Sequence, residues 1–359
     1  MDLLDGHCHV IAAGDLDTAA FELAGTEAHL PAPAGVRYSD SQVGLAIRRW
    51  CAPALGLPAH APIDEYLARR SALGWRTASA QLLRAASLGT LLVDTGLTGP
   101  DLVDPATLGE LAGAHVHEVV RLEAVAEDVA SSGVEAAAFA ATLADELDRR
   151  TRSAVAIKSI IAYRNGLAVP AERPTPIAVS RAAGGWLRRG GGRLTDPVLL
   201  RHVLWAGVDT GKPLQLHAGF GDRDIRLPDA NPALLQPFLE AVDGPVILLH
   251  CYPYQREAGW LAQVYPNVYL DVGLTVGHVG PRADAVLAEY FELAPFGKVL
   301  FSTDAYQLPE LYLVGAAQFR HSLDRMLAAW RADDAISAVD AVRLGEMVSS
   351  SNARRVYGL

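Results

Sequence analysis

Cysteine is scarce: the chain of 359 residues holds three, Cys8, Cys51 and Cys251. An odd count without a C-x-x-C pair argues against a disulfide framework or a cysteine zinc knuckle. A reducing, cytoplasmic setting is then the simplest home. Charge is also sparse. Only 20% of residues are charged and the formal net charge is −10, so no basic patch is expected to neutralise phosphates, and nucleic acid is not an expected partner. No uncharged apolar run approaches the ~18–20 residues a membrane helix needs. The first residues, Met1 to Asp5, lack the basic and apolar regions of a secretory signal. The Gly-rich stretch Gly184–Gly192 lacks the G-K-[ST] ending of a phosphate loop and reads as a mobile connector. No internal repeat stands out.

What the chain has in quantity is hydrophobic sequence, 50% of residues, enough for a large core. Eight short apolar runs read as strands: Leu3–Val10, Leu91–Thr95, Val116–Glu123, Ala154–Ile160, Pro213–His217, Val246–His250, Val268–Val272 and Val299–Thr303. Several are apolar at consecutive positions, as strands buried on both faces are. Helical spacing fills the gaps. Ala126–Arg150 reads as a helix, and Asp196-Pro197 as a helix start with Asp at the N-cap and Pro at N1. Eight strands alternating with helices predict an α/β fold, a (β/α)8 TIM barrel; the competing architecture is an open doubly wound sheet. Residues 11–88 are too long for one βα connection. Ala61–Ser87 within them reads as one or two helices, which predicts a helical insertion after strand one rather than a structureless loop. Residues 1–359 are read as one domain.

The chemistry-bearing residues sit at strand ends. His7 and His9 alternate with Cys8, so both imidazoles share one face of the first strand, and neutral imidazole is a common metal ligand. His217 and His250 each close an apolar strand, on the rim where barrel chemistry occurs. Taken singly, each reads better as a core histidine; the metal reading rests on their joint placement with His7 and His9. Asp304 follows the eighth run, as metal ligand, proton acceptor or helix N-cap. Lys158 ends the fourth run, where an unpaired charge is costly. It can pair with a carboxylate, bind a substrate carboxylate or be carbamylated. His115 and His117 begin a strand, at the opposite end of a barrel, and read as structural. Cys8 and Cys251 read as inert packing.

These positions resemble the amidohydrolase superfamily. The segments 158–167 (KSIIAYRNGL), 214–224 (LQLHAGFGDRD), 250–274 and 299–316 resemble the amidohydrolase half of FluG-like and nodulin/glutamine-synthetase fusion proteins. The resemblance implies one or two divalent ions, most often zinc, held by His7, His9, His217, His250 and Asp304, with Asp304 also the general base. Lys158 occupies the position of a carbamylated lysine in members with two metals. Thr303-Asp304-Ala305-Tyr306 departs from the usual Thr-Asp-Gly, which points Tyr306 at the substrate.

The expected reaction is hydrolysis of an amide C–N bond in a small, carboxylate-bearing substrate by metal-activated water, with Asp304 moving the proton and His250 helping to stabilise the oxyanion. Tyr163, Arg164, Asp222, Arg223 and Arg256 lie in loops after strands, where substrate contacts are made. Asp5 or Glu123 is a candidate to orient the ligand imidazoles, Glu123 alternatively to pair with Arg121. Two other readings stand beside this one: a metal-dependent decarboxylase of the same superfamily, and a metal-free binding or regulatory barrel. The partners expected are a small-molecule substrate and neither nucleic acid nor membrane; a homo-oligomer is left open.

Overall fold

One sheet of eight parallel strands runs in chain order: β1 Leu3–Cys8, β2 Leu88–Asp94, β3 His115–Arg121, β4 Ala156–Ser159, β5 Leu214–Ala218, β6 Val246–His250, β7 Val268–Asp271 and β8 Val299–Leu300. The computed structural model describes residues 3–359. The sheet meets itself beyond β8. Gly6 N donates to Phe301 O (3.0 Å), Asp304 N to His7 O (2.9 Å) and His9 N to Ala305 O (2.9 Å). The architecture is the expected (β/α)8 barrel, not an open sheet. No helix among the described residues is long and apolar enough to cross a membrane.

Strand alternation divides the barrel interior into two tiers. The lower tier is apolar: Leu4, Leu92, Val119, Ala156, Ile247, Leu249 and Leu300 cluster with Ala353 and Tyr357, which lie on the helix Asn352–Tyr357. Two residues further along β2, β3 and β4, on the same inward face, come Asp94, Arg121 and Lys158, all buried. The charged tier therefore rests on a dry floor.

On β1 alternation alone would not turn both Leu4 and His7 inward. The pairing with β2 advances three residues from Asp5 to Cys8 while β2 advances two, from Leu91 to Val93. This bulge reverses the facing of the strand. Cys8 consequently points outward, its thiol against Leu92 O at 3.5 Å, among the residues packed between barrel and helices.

Residues between β1 and β2 form helices Thr18–Ala24, Gln42–Ala46, Ile63–Leu73 and Trp75–Ala86, joined by shorter helical turns. A buried polar knot ties them to the helix Pro309–Ala332. Glu310 Oε1 accepts from Arg70 Nε (2.7 Å) and from Tyr66 OH (2.9 Å). Asp196 caps the helix Pro197–Asp209 through Val198 N and Leu199 N, a contact worth about 1 kcal/mol.

Four expectations need correction. The Ala126–Arg150 helix is two helices, Leu122–Ser131 and Phe139–Thr151; Ser132-Gly133 breaks it, Gly133 having φ 81°. Glu123 belongs to the first of these and not to β3. Gly184 and Gly185 lie inside the helix Pro176–Arg188 rather than in a connector. The eighth strand is shorter than its apolar run because the backbone beyond Leu300 bonds to β1 and to the loop after β7: Phe301 O accepts from Gly6 N, and Thr303 O from Leu274 N.

Candidate active site

At the carboxyl ends of the strands, Asp304 stands among three imidazoles. Its Oδ1 lies 3.2 Å from His7 Nε2 and 3.4 Å from His9 Nε2, and its Oδ2 lies 3.4 Å from His250 Nε2. His217 completes the ring of histidines, its centroid 4.7 Å from that of His250. Lys158 Nζ is 3.1 Å from His7 Nε2. The structure thus brings His7, His9, Lys158, His217, His250 and Asp304 to one place.

Two of these residues reach it through unusual backbone. His250 has φ 67° and Asp304 φ 52°, a left-handed conformation that costs a non-glycine residue on the order of 1–3 kcal/mol. On β6, Ile247 and Leu249 already face inward, so alternation would send residue 250 outward; the positive φ turns its imidazole back. The His250 carbonyl is held by Thr275 Oγ1 at 3.0 Å and by the Tyr290 hydroxyl.

Gln215 sets the tautomer of His7. The Gln215 amide donates to Gly6 O (2.7 Å) and to the Tyr357 hydroxyl (2.8 Å), so its Oε1 faces His7 Nδ1 at 2.9 Å. Nδ1 must then carry the hydrogen, leaving the Nε2 lone pair toward Asp304 and Lys158. Burial lowers the His7 pKa to about 4, helped by the Lys158 charge. Burial likewise takes His250 to about 3 and His217 well below the ordinary imidazole value. Burial would raise Asp304, but the surrounding imidazoles, His250 first and then His7 and His9, outweigh it and hold the carboxyl well below its usual range. Three neutral imidazoles and an ionised carboxylate at neutral pH are in the protonation states that ligate metals.

The donor set fits a divalent cation. His217 Nε2 and His250 Nε2 are buried without a hydrogen-bond partner, a cost that bound metal removes. Ligand atoms of His7, His250 and Asp304 lie within 4.8 Å of one another, as do those of His7, His9 and Asp94. Asp94, however, is already committed. Its Oδ1 accepts from Gly96 N (2.8 Å) and its Oδ2 from Arg121 Nη2 (2.7 Å) and Nε (3.1 Å). A Cβ on Gly96 would fall 2.3 Å from Arg121 Cδ, so only glycine lets this guanidinium lie where it does. Asp94 is the anchor of Arg121. Burial opposes the ionised form of Asp94, and Arg121 more than offsets that, keeping its carboxyl far below the usual range.

A cavity of about 330 Å³ opens above these groups. Tyr163, Arg164, Asp222 and Tyr306 line it together with Arg121, Arg193 and Glu27. Tyr163 packs on His217 (centroids 4.4 Å) and Tyr306 on His9 (5.7 Å). Gly221 makes room for the former, since a Cβ there would sit 2.1 Å from the Tyr163 hydroxyl. Arg256 is not brought in. It lies on the helix Gln255–Val264, largely exposed, paired with Glu292 (2.8 Å) and Glu289 (3.5 Å). The first turn after β6 carries its side chain outward, away from the mouth. Arg223 lines a neighbouring chamber and contacts His29.

Neither candidate for orienting imidazoles does so. Asp5 binds Thr303 N (2.9 Å), Thr303 Oγ1 (2.5 Å) and His7 N (3.3 Å), joining the backbones of β1 and the segment after β8. Glu123 accepts from Ser159 Oγ (2.6 Å) and Ile160 N (3.1 Å) rather than pairing with Arg121. Sequence reasoning missed Asp94, Arg121 and Gln215, although each lies two residues from an inward-facing position on its strand. It also missed Glu27, which no spacing pointed to.

The model of the amidohydrolase family (Amidohydro_2) matches residues 119–359, and the chain belongs to that family. It is 36% identical over 221 residues to protein FluG of Emericella nidulans, a match that covers 57% of this chain and 26% of that protein. The chain therefore matches about a quarter of the length of this curated relative. A candidate metal-dependent hydrolase of Lactobacillus casei shares 30% identity at a TM-score of 0.84, with 99% of this chain and 95% of that one covered. Glucuronate isomerase of Caulobacter crescentus has the same fold at 16% identity, with a TM-score of 0.67 and 100% and 91% of the two chains covered.

Proposed function

We propose that this protein is a divalent-metal-dependent hydrolase that cleaves the C–N bond of a small, carboxylate-bearing amide. The observation that carries the reading is the Asp304 carboxylate within 3.2–3.4 Å of the imidazoles of His7, His9 and His250. His7, His9, His217, His250 and Asp304 would hold the ion, with Lys158 beside them; nitrogen and oxygen donors favour zinc. A cation there supplies Lewis-acid polarisation of a substrate oxygen and ionisation of a water near neutral pH.

The chain's own groups supply the rest. Asp304 takes the proton of the attacking water and passes it to the departing nitrogen. Water is thus added across the bond, OH to the carbonyl carbon and H to the nitrogen, giving a carboxylic acid and an amine that ionise to carboxylate and ammonium. Arg121, pinned by Asp94, and Arg164 present guanidinium groups to the cavity, suited to a substrate carboxylate. Tyr163 and Tyr306 confine the substrate from two sides.

The test is metal content by elemental mass spectrometry on protein purified without chelator, followed by an amide screen. About one or two equivalents of a divalent transition metal, lost in the His7→Ala/His9→Ala variant, together with amine release, would support the reading. Carbon dioxide release without an amine would move it to the decarboxylase. Protein that neither holds nor responds to any metal would be a binding barrel.

A further inference from the structure

A second cavity adjoins the first and differs from it in chemistry. Its volume is about 730 Å³, within the size range of pockets that enclose whole organic ligands. Its walls include Leu16, Leu23, Leu102, Leu274 and Leu311. Ala20 and Ala24 also line it, one turn apart on the helix Thr18–Ala24, which belongs to the insertion after β1. The inner cavity instead gathers Arg121, Lys158, Arg164 and Arg193. Asp304, Tyr306, Glu27, Asp222 and Asp224 line both, so the proton-moving carboxylate stands on the boundary between a cationic space and an apolar one.

We infer that the substrate has two unlike parts: a carboxylate-bearing part in the inner cavity and a bulky, uncharged apolar group in the outer chamber, with the scissile bond between them at Asp304. The inference rests on the hydrolase reading for the cleavage, but not for the recognition. Arg223, in contact with His29, also lines the outer chamber, but the acidic residues there outnumber it and disfavour an anionic outer group. Glu27, which has no hydrogen-bond or ion-pair partner among the described residues, guards the boundary with Asp222 and Asp224, and Asp101 stands on the outer wall. A second carboxylate placed there would meet like charge. Burial, with the charges of Asp304 and Asp222, pushes the Glu27 carboxyl up to about 7, as expected for an acid in a space built for apolar matter. The insertion therefore serves specificity: its first helix supplies the wall, and its two alanines leave the volume open.

The test uses glutarate, its mono-methylamide and its mono-anilide, which share the carboxylate and differ in the outer group. Binding is measured by calorimetry on zinc-loaded and on chelator-treated protein. The anilide is expected to bind the zinc-loaded wild type on the order of tenfold or more tighter than the methylamide. Its carboxylate methyl ester should lose most of that affinity. Ala24→Phe, which puts a ring into the chamber beside the boundary, should remove the anilide's advantage and leave methylamide binding within about twofold. Ala20→Phe, at an exposed position of the same helix, makes the same test if Ala24→Phe does not fold. Equal affinity for anilide and methylamide in the wild type, or an advantage that survives both variants, overturns the inference. An anilide bound as expected but never cleaved upholds two-part recognition and removes the hydrolase reading. Cleavage of both amides with equal affinity does the reverse.

Discussion

Replacing Arg70 by Met should loosen the insertion from the barrel. Arg70 and Glu310 are both buried, with side chains 5% and 0% exposed, and meet at 2.7 Å. Glu310 Oε2 has no partner, and its Oε1 would keep only the Tyr66 hydroxyl at 2.9 Å. Removing one member of a buried pair strands the other's charge, at a cost of about 3–5 kcal/mol. The methionine chain refills most of the arginine's volume, so packing loss adds little. Adding Glu310→Gln to the variant removes the stranded charge while keeping an acceptor for Tyr66, and most of the loss should return. Chemical unfolding gives the total, and hydrogen exchange over Ile63–Leu73 shows where it falls. Leu311 of the same helix as Glu310, and Gln307 just before that helix, line the outer chamber, so the anilide preference should fall with the loss of protection. A single variant within about 1 kcal/mol of the wild type would refute the reasoning, as would a double variant no better than the single one.

Other consequences can be measured on the same material. Burial, offset in part by bonds from Thr303 and His7, raises the Asp5 pKa from 3.8 to about 8. Its stabilising contribution is therefore complete below the unfolded value and lost as pH rises toward 8. Asp5→Asn can still accept from Thr303 N and donate to Thr303 Oγ1. The metal-free variant should therefore gain on the wild type between pH 4 and 8 by up to several kcal/mol, at about 1.4 kcal/mol for each pH unit. Parallel stability profiles for the two proteins would contradict this. Gln215→Leu frees His7 Nδ1 from its acceptor, and zinc affinity measured by chelator competition should fall about 10–100-fold; an unchanged affinity would show that the tautomer is fixed some other way.

The parts legible in the sequence are those for which local pattern and burial agree. Parallel strands covered on both faces read as continuous apolar runs, and His217 and His250 ended such runs, so their place on the rim followed. Asp94 was legible by the same rule, as the acid closing Leu-Leu-Val, and Gln215 by parity with His217. The bulge in β1 was not, because it depends on pairing with residues more than eighty positions away. Nor was the outward turn of Arg256, set by a helix that begins one residue earlier. Glu27 and Ala24 acquire meaning only when the insertion folds over the mouth, and nothing local marks them.

Asp304 N bonds to His7 O, and Asp304 Oδ1 faces the His7 imidazole. The proposed ligands thus straddle the seam where the first strand meets the last. A cation held there would be a clasp as well as a reagent. A chain still being synthesised could not close that clasp until residue 304 had emerged, and any opening of the barrel at this seam would release the ion. Binding energy for the cation would add directly to the stability of closure, so a protein stripped of metal should breathe first along the line where its chemistry is done.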